Sequence, residues 1–148
     1  MKKEFITTSE QETMQAARDF AKTLKGGEVV LLTGELGAGK TVFVKAVAAE
    51  LGVLRTVTSP TFVLMQTYST ANKKIKNLCH VDAYRIDSFQ DFQSAGLDEY
   101  LYRKDTVCFI EWGEKIKKML KDYVRINIKI EKNNRKISIQ NYERKKST

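Results

Sequence analysis

The chain has 148 residues, 42% of them apolar and 30% charged, enough to close one hydrophobic core, and a single domain over residues 1–148 is expected. No run of about 18 apolar residues occurs, which excludes a membrane-spanning helix. Met1-Lys2-Lys3-Glu4-Phe5 has no apolar leader segment, so a cytoplasmic protein with no membrane partner is expected. The net charge of +8 is uneven: residues 115–148 hold 12 Lys/Arg against 3 Asp/Glu, a net of +9, while the other 114 residues hold 14 against 15. Such asymmetry fits a nucleic-acid or acidic protein partner, or a solvated lysine-rich surface.

Phe5-Ile6-Thr7 reads as a short strand. Thr8 or Ser9 caps the helix that follows; Ser9 with Glu12 forms a capping-box pattern, and Met14, Ala17, Ala21 and Leu24 recur at helical spacing until Gly26-Gly27. Glu28 to Thr33 is a buried strand, and Val42 to Leu51 a helix stopped by Gly52. Phe62 to Tyr68 and Lys76 to Tyr84 read as antiparallel strands around a polar turn. A short helix is expected within Asp87 to Gly96, and a helical turn or loop over Leu97 to Leu101. Thr106 to Ile110 is a strand covered on both faces, and Glu114 to Leu120 a helix. From about residue 124 the basic end is a hairpin, Val124 to Ile130 and Lys136 to Tyr142 about an Asn133-Asn134 turn, then a frayed tail. Cys79 and Cys108 lie in apolar runs and read as buried free thiols.

Gly34-Glu35-Leu36-Gly37-Ala38-Gly39-Lys40-Thr41 is a complete G-x-x-x-x-G-K-[ST] loop between an expected strand and an expected helix, the context in which this pattern binds nucleotide phosphates. Phosphate oxygens need a ring of backbone N–H donors, and glycines at 34, 37 and 39 clear the approach. Lys40 reaches the β- and γ-phosphates, the Thr41 hydroxyl ligates Mg²⁺, and the helix opening at Thr41 favours an anion. Glu35, Leu36, Gly37, Ala38, Gly39, Lys40 and Thr41 are therefore the candidate phosphate-binding set.

A P-loop NTPase also needs a carboxylate at the end of a buried strand. Glu111, after Val107-Cys108-Phe109-Ile110, and Asp82, after Leu78-Cys79-His80-Val81, both fit. Two acids near one metal divide the labour: one ligates Mg²⁺, the other orients or polarises the attacking water. Lys40, Asp82 and Glu111 form the candidate catalytic set. Ser59-Pro60-Thr61-Phe62 carries hydroxyls on both sides of the only proline; it is a candidate γ-phosphate sensor or an ordinary strand connection. His80, the only histidine, has no nearby partner pattern and reads as a satisfied core or surface residue. No N-K-x-D or D-x-x-G motif occurs, which favours adenine over guanine.

The P-loop, Thr58-Ser59-Pro60-Thr61-Phe62, His80-Val81-Asp82-Ala83-Tyr84-Arg85 and Glu111-Trp112-Gly113-Glu114, in that order, resemble the TsaE (YjeE) family over residues 5 to 130 or so. That is the bacterial ATPase subunit of tRNA threonylcarbamoyladenosine biosynthesis. The resemblance implies an α/β, P-loop NTPase-like three-layer fold, a mixed sheet flanked by helices. It implies Mg²⁺-dependent ATP hydrolysis, slow without partners, in support of the TsaD–TsaB complex, which transfers threonylcarbamoyl to the adenosine next to the anticodon. Contact with tRNA is then indirect or weak. By the same resemblance Glu111 binds Mg²⁺ beside Thr41, Asp82 lies near the reaction centre, and Thr61 belongs to a nucleotide-responsive loop. Trp112 is expected to touch the nucleotide or the partner surface. The basic C-terminal quarter is not required by the family pattern, and its role is left open.

Two other classes compete. A small-molecule kinase would use the same P-loop, but it needs a lid with arginines, and between the two acids only Arg85 and Arg103 stand out. A nucleotide-gated RNA-binding module would use the basic C-terminal hairpin.

Overall fold

Val29-Val30-Leu31-Leu32 and Val107-Cys108-Phe109-Ile110 are apolar at every position because the strands they form are covered on both faces. The computed structural model describes residues 2–35, 37–58 and 64–143. Its elements in chain order are β1 (Lys2–Thr7), α1 (Glu10–Thr23), β2 (Val29–Gly34), α2 (Lys40–Glu50), β3 (Met65–Ser69), β4 (Asn77–Asp82), α3 (Phe89–Ser94), α4 (Leu97–Tyr100), β5 (Thr106–Glu111), β6 (Tyr123–Glu131) and β7 (Asn134–Tyr142). Among the described residues they build one seven-stranded sheet in the order β1-β7-β6-β2-β5-β4-β3. The central strands β6, β2, β5 and β4 run parallel, and the outer pairings are antiparallel.

The period of two along each strand divides the core. Val30, Leu32, Val107 and Phe109 meet Phe20 of α1 and Phe43 and Val47 of α2 on one face. Val29, Leu31, Cys108 and Ile110 meet Ile86, Phe92, Leu97 and Ile116 on the other. The result is the expected α/β arrangement: a mixed sheet between helical layers. Residues 59–63, with the expected start of the strand at Phe62, lie outside the described residues, as does the tail from 144.

Local signals explain the helix ends. The Ser9 hydroxyl accepts the Glu12 N–H, and the Glu12 carboxylate accepts the N–H of Thr8, one residue ahead of the cap. Gly39 caps α2 at φ 110°, and Gly52 follows its end at φ 83°. The helix thus opens at Lys40, one residue before the expected Thr41.

Two expectations are corrected. Residues 114–120 are not an α-helix but two 3₁₀ turns, Gly113–Lys115 and Lys117–Met119. Residues 112–122 alone must carry the chain from the end of β5 back to the start of the parallel strand β6. A six-residue strand spans about 20 Å, and a 3₁₀ turn advances about 2.0 Å per residue against about 1.5 Å in an α-helix. The hairpin turn is also one residue earlier than expected. Glu131 pairs with Asn134, so Lys132-Asn133 form the turn, with Lys132 at φ 55°.

Cys79 and Cys108 are free and buried, as expected, and are direct partners on β4 and β5. The neighbouring Cys79 thiol, helped by burial, pushes the Cys108 thiol far above its ordinary range.

Candidate functional site

β2 sits at the centre of the sheet and delivers the loop to its carboxyl end. Three positive-φ glycines shape that loop: Gly34 at 149°, Gly37 at 80° and Gly39 at 110°. Their reasons differ. A Cβ on Gly34 would collide with the Ile128 carbonyl of β6, so this glycine is fixed by strand packing. A Cβ on Gly37 or Gly39 would meet nothing within 4 Å, so there the backbone angle makes the demand and the concavity is open. The first amides of an α-helix lack an intrahelical acceptor, and a helix start beside such a loop is where phosphate groups bind.

Lys40 Nζ donates to the Gly34 carbonyl at 2.9 Å and lies 5.3 Å from the centroid of the Trp112 ring. Its ammonium is held over the loop by a backbone oxygen and a π face, with no carboxylate salt bridge among the described residues. Thr41 is half-buried in the first turn of α2, and Glu35 is exposed. Ala38 is buried, and its carbonyl accepts Arg135 Nε at 3.1 Å. Leu36 and Thr61 lie outside the described residues.

Both candidate acids end their strands beside the loop. Glu111 pairs with Leu32 of β2 on one side and with Asp82 of β4 on the other. Glu111 is therefore next to the P-loop strand, and Asp82 is one strand further out. Glu111 is 7% exposed; Asp82 is half-buried and accepts the Tyr84 N–H at 3.0 Å. Trp112 follows Glu111 in the left-handed region at φ 60°, which throws its ring outward, 52% exposed and edge-on to Tyr84 at 5.3 Å.

Two residues near this site escaped the sequence reading. His80 is fully buried, as a core residue would be, but it is not satisfied. Nε2 lies 3.3 Å from Glu111 Oε2 without hydrogen-bond alignment, and neither ring nitrogen has a hydrogen bond among the described residues. The signal was present: His80 and Asp82 share one face of β4 by their spacing of two. The second is Arg135, which the hairpin brings to the P-loop although it belongs to the basic quarter. Together with Thr7, Ser9, Thr13, Val42 and Asn133 it lines a cleft of about 180 Å³ beside Gly37 and Gly39.

These residues fit a magnesium nucleotide. Among the described residues no three His, Cys, Asp or Glu side chains gather for a metal. Mg²⁺ is held by one or two protein oxygens plus phosphates and water, and Thr41 and Glu111 supply that number.

The family model for "Threonylcarbamoyl adenosine biosynthesis protein TsaE" matches residues 7–139. The chain belongs to the TsaE family. A TsaE from Treponema pallidum is 39% identical over 126 residues, 84% of this chain and 90% of that one. A TsaE from Aquifex aeolicus is 41% identical over 117 residues, 78% and 80%. Both bear the name tRNA threonylcarbamoyladenosine biosynthesis protein. The crystal structure of YdiB from Bacillus subtilis superposes with a TM-score of 0.77 at 33% identity, covering 94% of this chain and 84% of that one. The TsaE match extends through β6 and most of β7, so it includes Arg135 and much of the basic hairpin.

Proposed function

We propose that this chain binds and hydrolyses ATP with Mg²⁺, and that hydrolysis supports threonylcarbamoyl modification of the adenosine next to the anticodon by the TsaD–TsaB complex. The observation that carries the reading is the open loop with Lys40 poised over it and a buried carboxylate, Glu111, ending the neighbouring strand. Membership of the TsaE family supplies the tRNA pathway. Mg²⁺ bound with ATP neutralises charge on the β- and γ-phosphates. Lys40 exchanges the Gly34 carbonyl for phosphate oxygens, Thr41 and Glu111 hold the metal, and Asp82 orients the attacking water. The cleft lined by Thr7, Val42, Asn133 and Arg135 takes the nucleoside. Trp112 and Tyr84, both over half exposed, form a surface for the nucleotide or the partner.

The kinase alternative loses one of its two arginines. Arg103 pairs with Asp105 just before β5 begins, at the opposite end of the strand from Glu111. The reading is tested by reconstituting tRNA modification from TsaD, TsaB, tRNA and their substrates, with and without this chain, while following phosphate release. Modification should need both the chain and ATP, and phosphate should pass to water whatever metabolite is added. Undiminished modification without the chain would refute the proposal.

A further inference from the structure

We propose that His80 is a positioning residue for Glu111, donating a ring N–H to one carboxylate oxygen so that the carboxylate is held in one orientation for the metal. The inference rests on the proposed metal role of Glu111. Four observations point to it. His80 is 0% exposed, so no solvent satisfies its ring. Nε2 lies 3.3 Å from Oε2 of Glu111. Among the described residues neither ring nitrogen is hydrogen-bonded, and no polar side chain hydrogen-bonds the Glu111 carboxylate. His80 pairs with Phe109, two residues before Glu111, on an adjacent parallel strand. The sheet therefore sets the ring diagonally beside the carboxylate, on the face that also carries α2.

A buried imidazole with two unmet nitrogens is costly in a packing role, which a leucine or phenylalanine would fill better. The same ring is well placed to restrain a carboxylate. Buried at 7% exposure, Glu111 has little water to fix its rotation. A ligand that rotates freely must be ordered when the metal arrives; one already held by a neighbour is not. Hydrogen-bonding partners of metal ligands typically change metal affinity by about 10–100-fold when lost.

The experiment uses the full chain loaded with ADP, so that no turnover occurs. Mg²⁺ is titrated and followed by the fluorescence of Trp112, the only tryptophan and the neighbour of Glu111. His80→Leu removes the donor, and His80→Gln keeps an N–H near the Nε2 position. His80→Asn keeps an N–H too short to reach. ADP affinity without metal and thermal unfolding are measured for each.

His80→Leu should weaken Mg²⁺ binding about 10–100-fold and leave metal-free ADP binding unchanged, and His80→Gln should recover most of the loss. In a Glu111→Gln background His80→Leu should have no further effect on Mg²⁺. If His80→Leu does not fold, the contrast between His80→Gln (near wild type) and His80→Asn (weakened) carries the test. Wild-type Mg²⁺ affinity in folded His80→Leu, or equal losses in His80→Gln and the other variants, overturns the inference while leaving the metal role of Glu111 intact. Wild-type Mg²⁺ affinity in Glu111→Gln alone overturns both.

Discussion

Arg135→Ala separates a hairpin that belongs to the nucleotide site from one that merely decorates the surface. Arg135 Nε donates to the Ala38 carbonyl at 3.1 Å, and a second nitrogen reaches the Asn134 carbonyl at 3.2 Å. A buried hydrogen bond from a charged donor contributes about 1.5–3 kcal/mol. Arg135 is half-buried and Ala38 O regains water when it leaves, so roughly 1 kcal/mol is expected. For a chain of this size that lowers the melting temperature by about 2–4 °C. Nucleotide affinity loses more than the loop contact, because the guanidinium also lines the cleft beside Gly37 and Gly39. A fall of about tenfold corresponds to about 1.4 kcal/mol. The control is Lys136→Ala. It removes the same charge from the next position, but among the described residues the ion pair of Lys136 is with the exposed Glu4 at 3.6 Å, worth about 0–1 kcal/mol. Calorimetric titration of both variants with ADP and a non-hydrolysable ATP analogue decides the matter. Equal affinities in the two would show that Arg135 acts through net charge alone, and the coupling between hairpin and P-loop would be refuted.

Lys40→Ala should raise the ATP dissociation constant or abolish turnover, through loss of a charge-assisted phosphate contact, with little change in melting temperature because its present bond is to a single carbonyl. Wild-type binding and hydrolysis in that variant would sink the P-loop assignment. Glu111→Ala should shift activity to higher Mg²⁺ concentration, whereas Asp82→Asn should bind ATP normally and turn over slowly; swapped phenotypes in a Mg²⁺ series would reverse the roles given to the two acids. Replacing Arg144, Lys145 and Lys146 together by Ala should leave intrinsic ATPase within about twofold of wild type and weaken tRNA or partner association only at low salt, where screening is weak. A large fall in ATPase would make the tail part of the site.

Signals local in sequence were the legible ones. The P-loop is contiguous, so its strand, turn and helix could be placed from glycines and apolar runs before any long-range pairing was known. The strand-end positions of Glu111 and Asp82 were legible because an acid ending a buried strand is visible in one dimension. Their order relative to the loop was not, since it depends on β2 entering the sheet between β6 and β5. His80 reads as isolated in the sequence because its partner is 31 positions away and meets it only through the β4–β5 register. Arg135 was hidden among lysines whose excess charge reads as surface. Its reach to Ala38 follows from the hairpin lying against the P-loop strand through β6. The helix expected at 114–120 failed for a different reason: its composition allows an α-helix, but the short crossover from β5 to β6 is made of two 3₁₀ turns.

The two cysteines give the protein a built-in clock. They stand side by side on β4 and β5, at the heart of the sheet, fully covered. The neighbouring Cys79 thiol and burial suppress the Cys108 thiolate, so reagents that need a thiolate find almost none at Cys108 in the folded state. Alkylation can then proceed only during openings that lift the layer of Ile86, Phe92 and Leu97 off this face of the sheet, or that unfold the chain. Fraying of a terminus, or motion of the nucleotide loop, leaves the rate untouched. Labelling kinetics in native buffer, read by mass, therefore measure how often that layer opens. A nucleotide slows that clock only where the opening that uncovers the thiols also disrupts its site. The same two thiols thus turn a binding question into a counting of rare events, with no probe added to the protein.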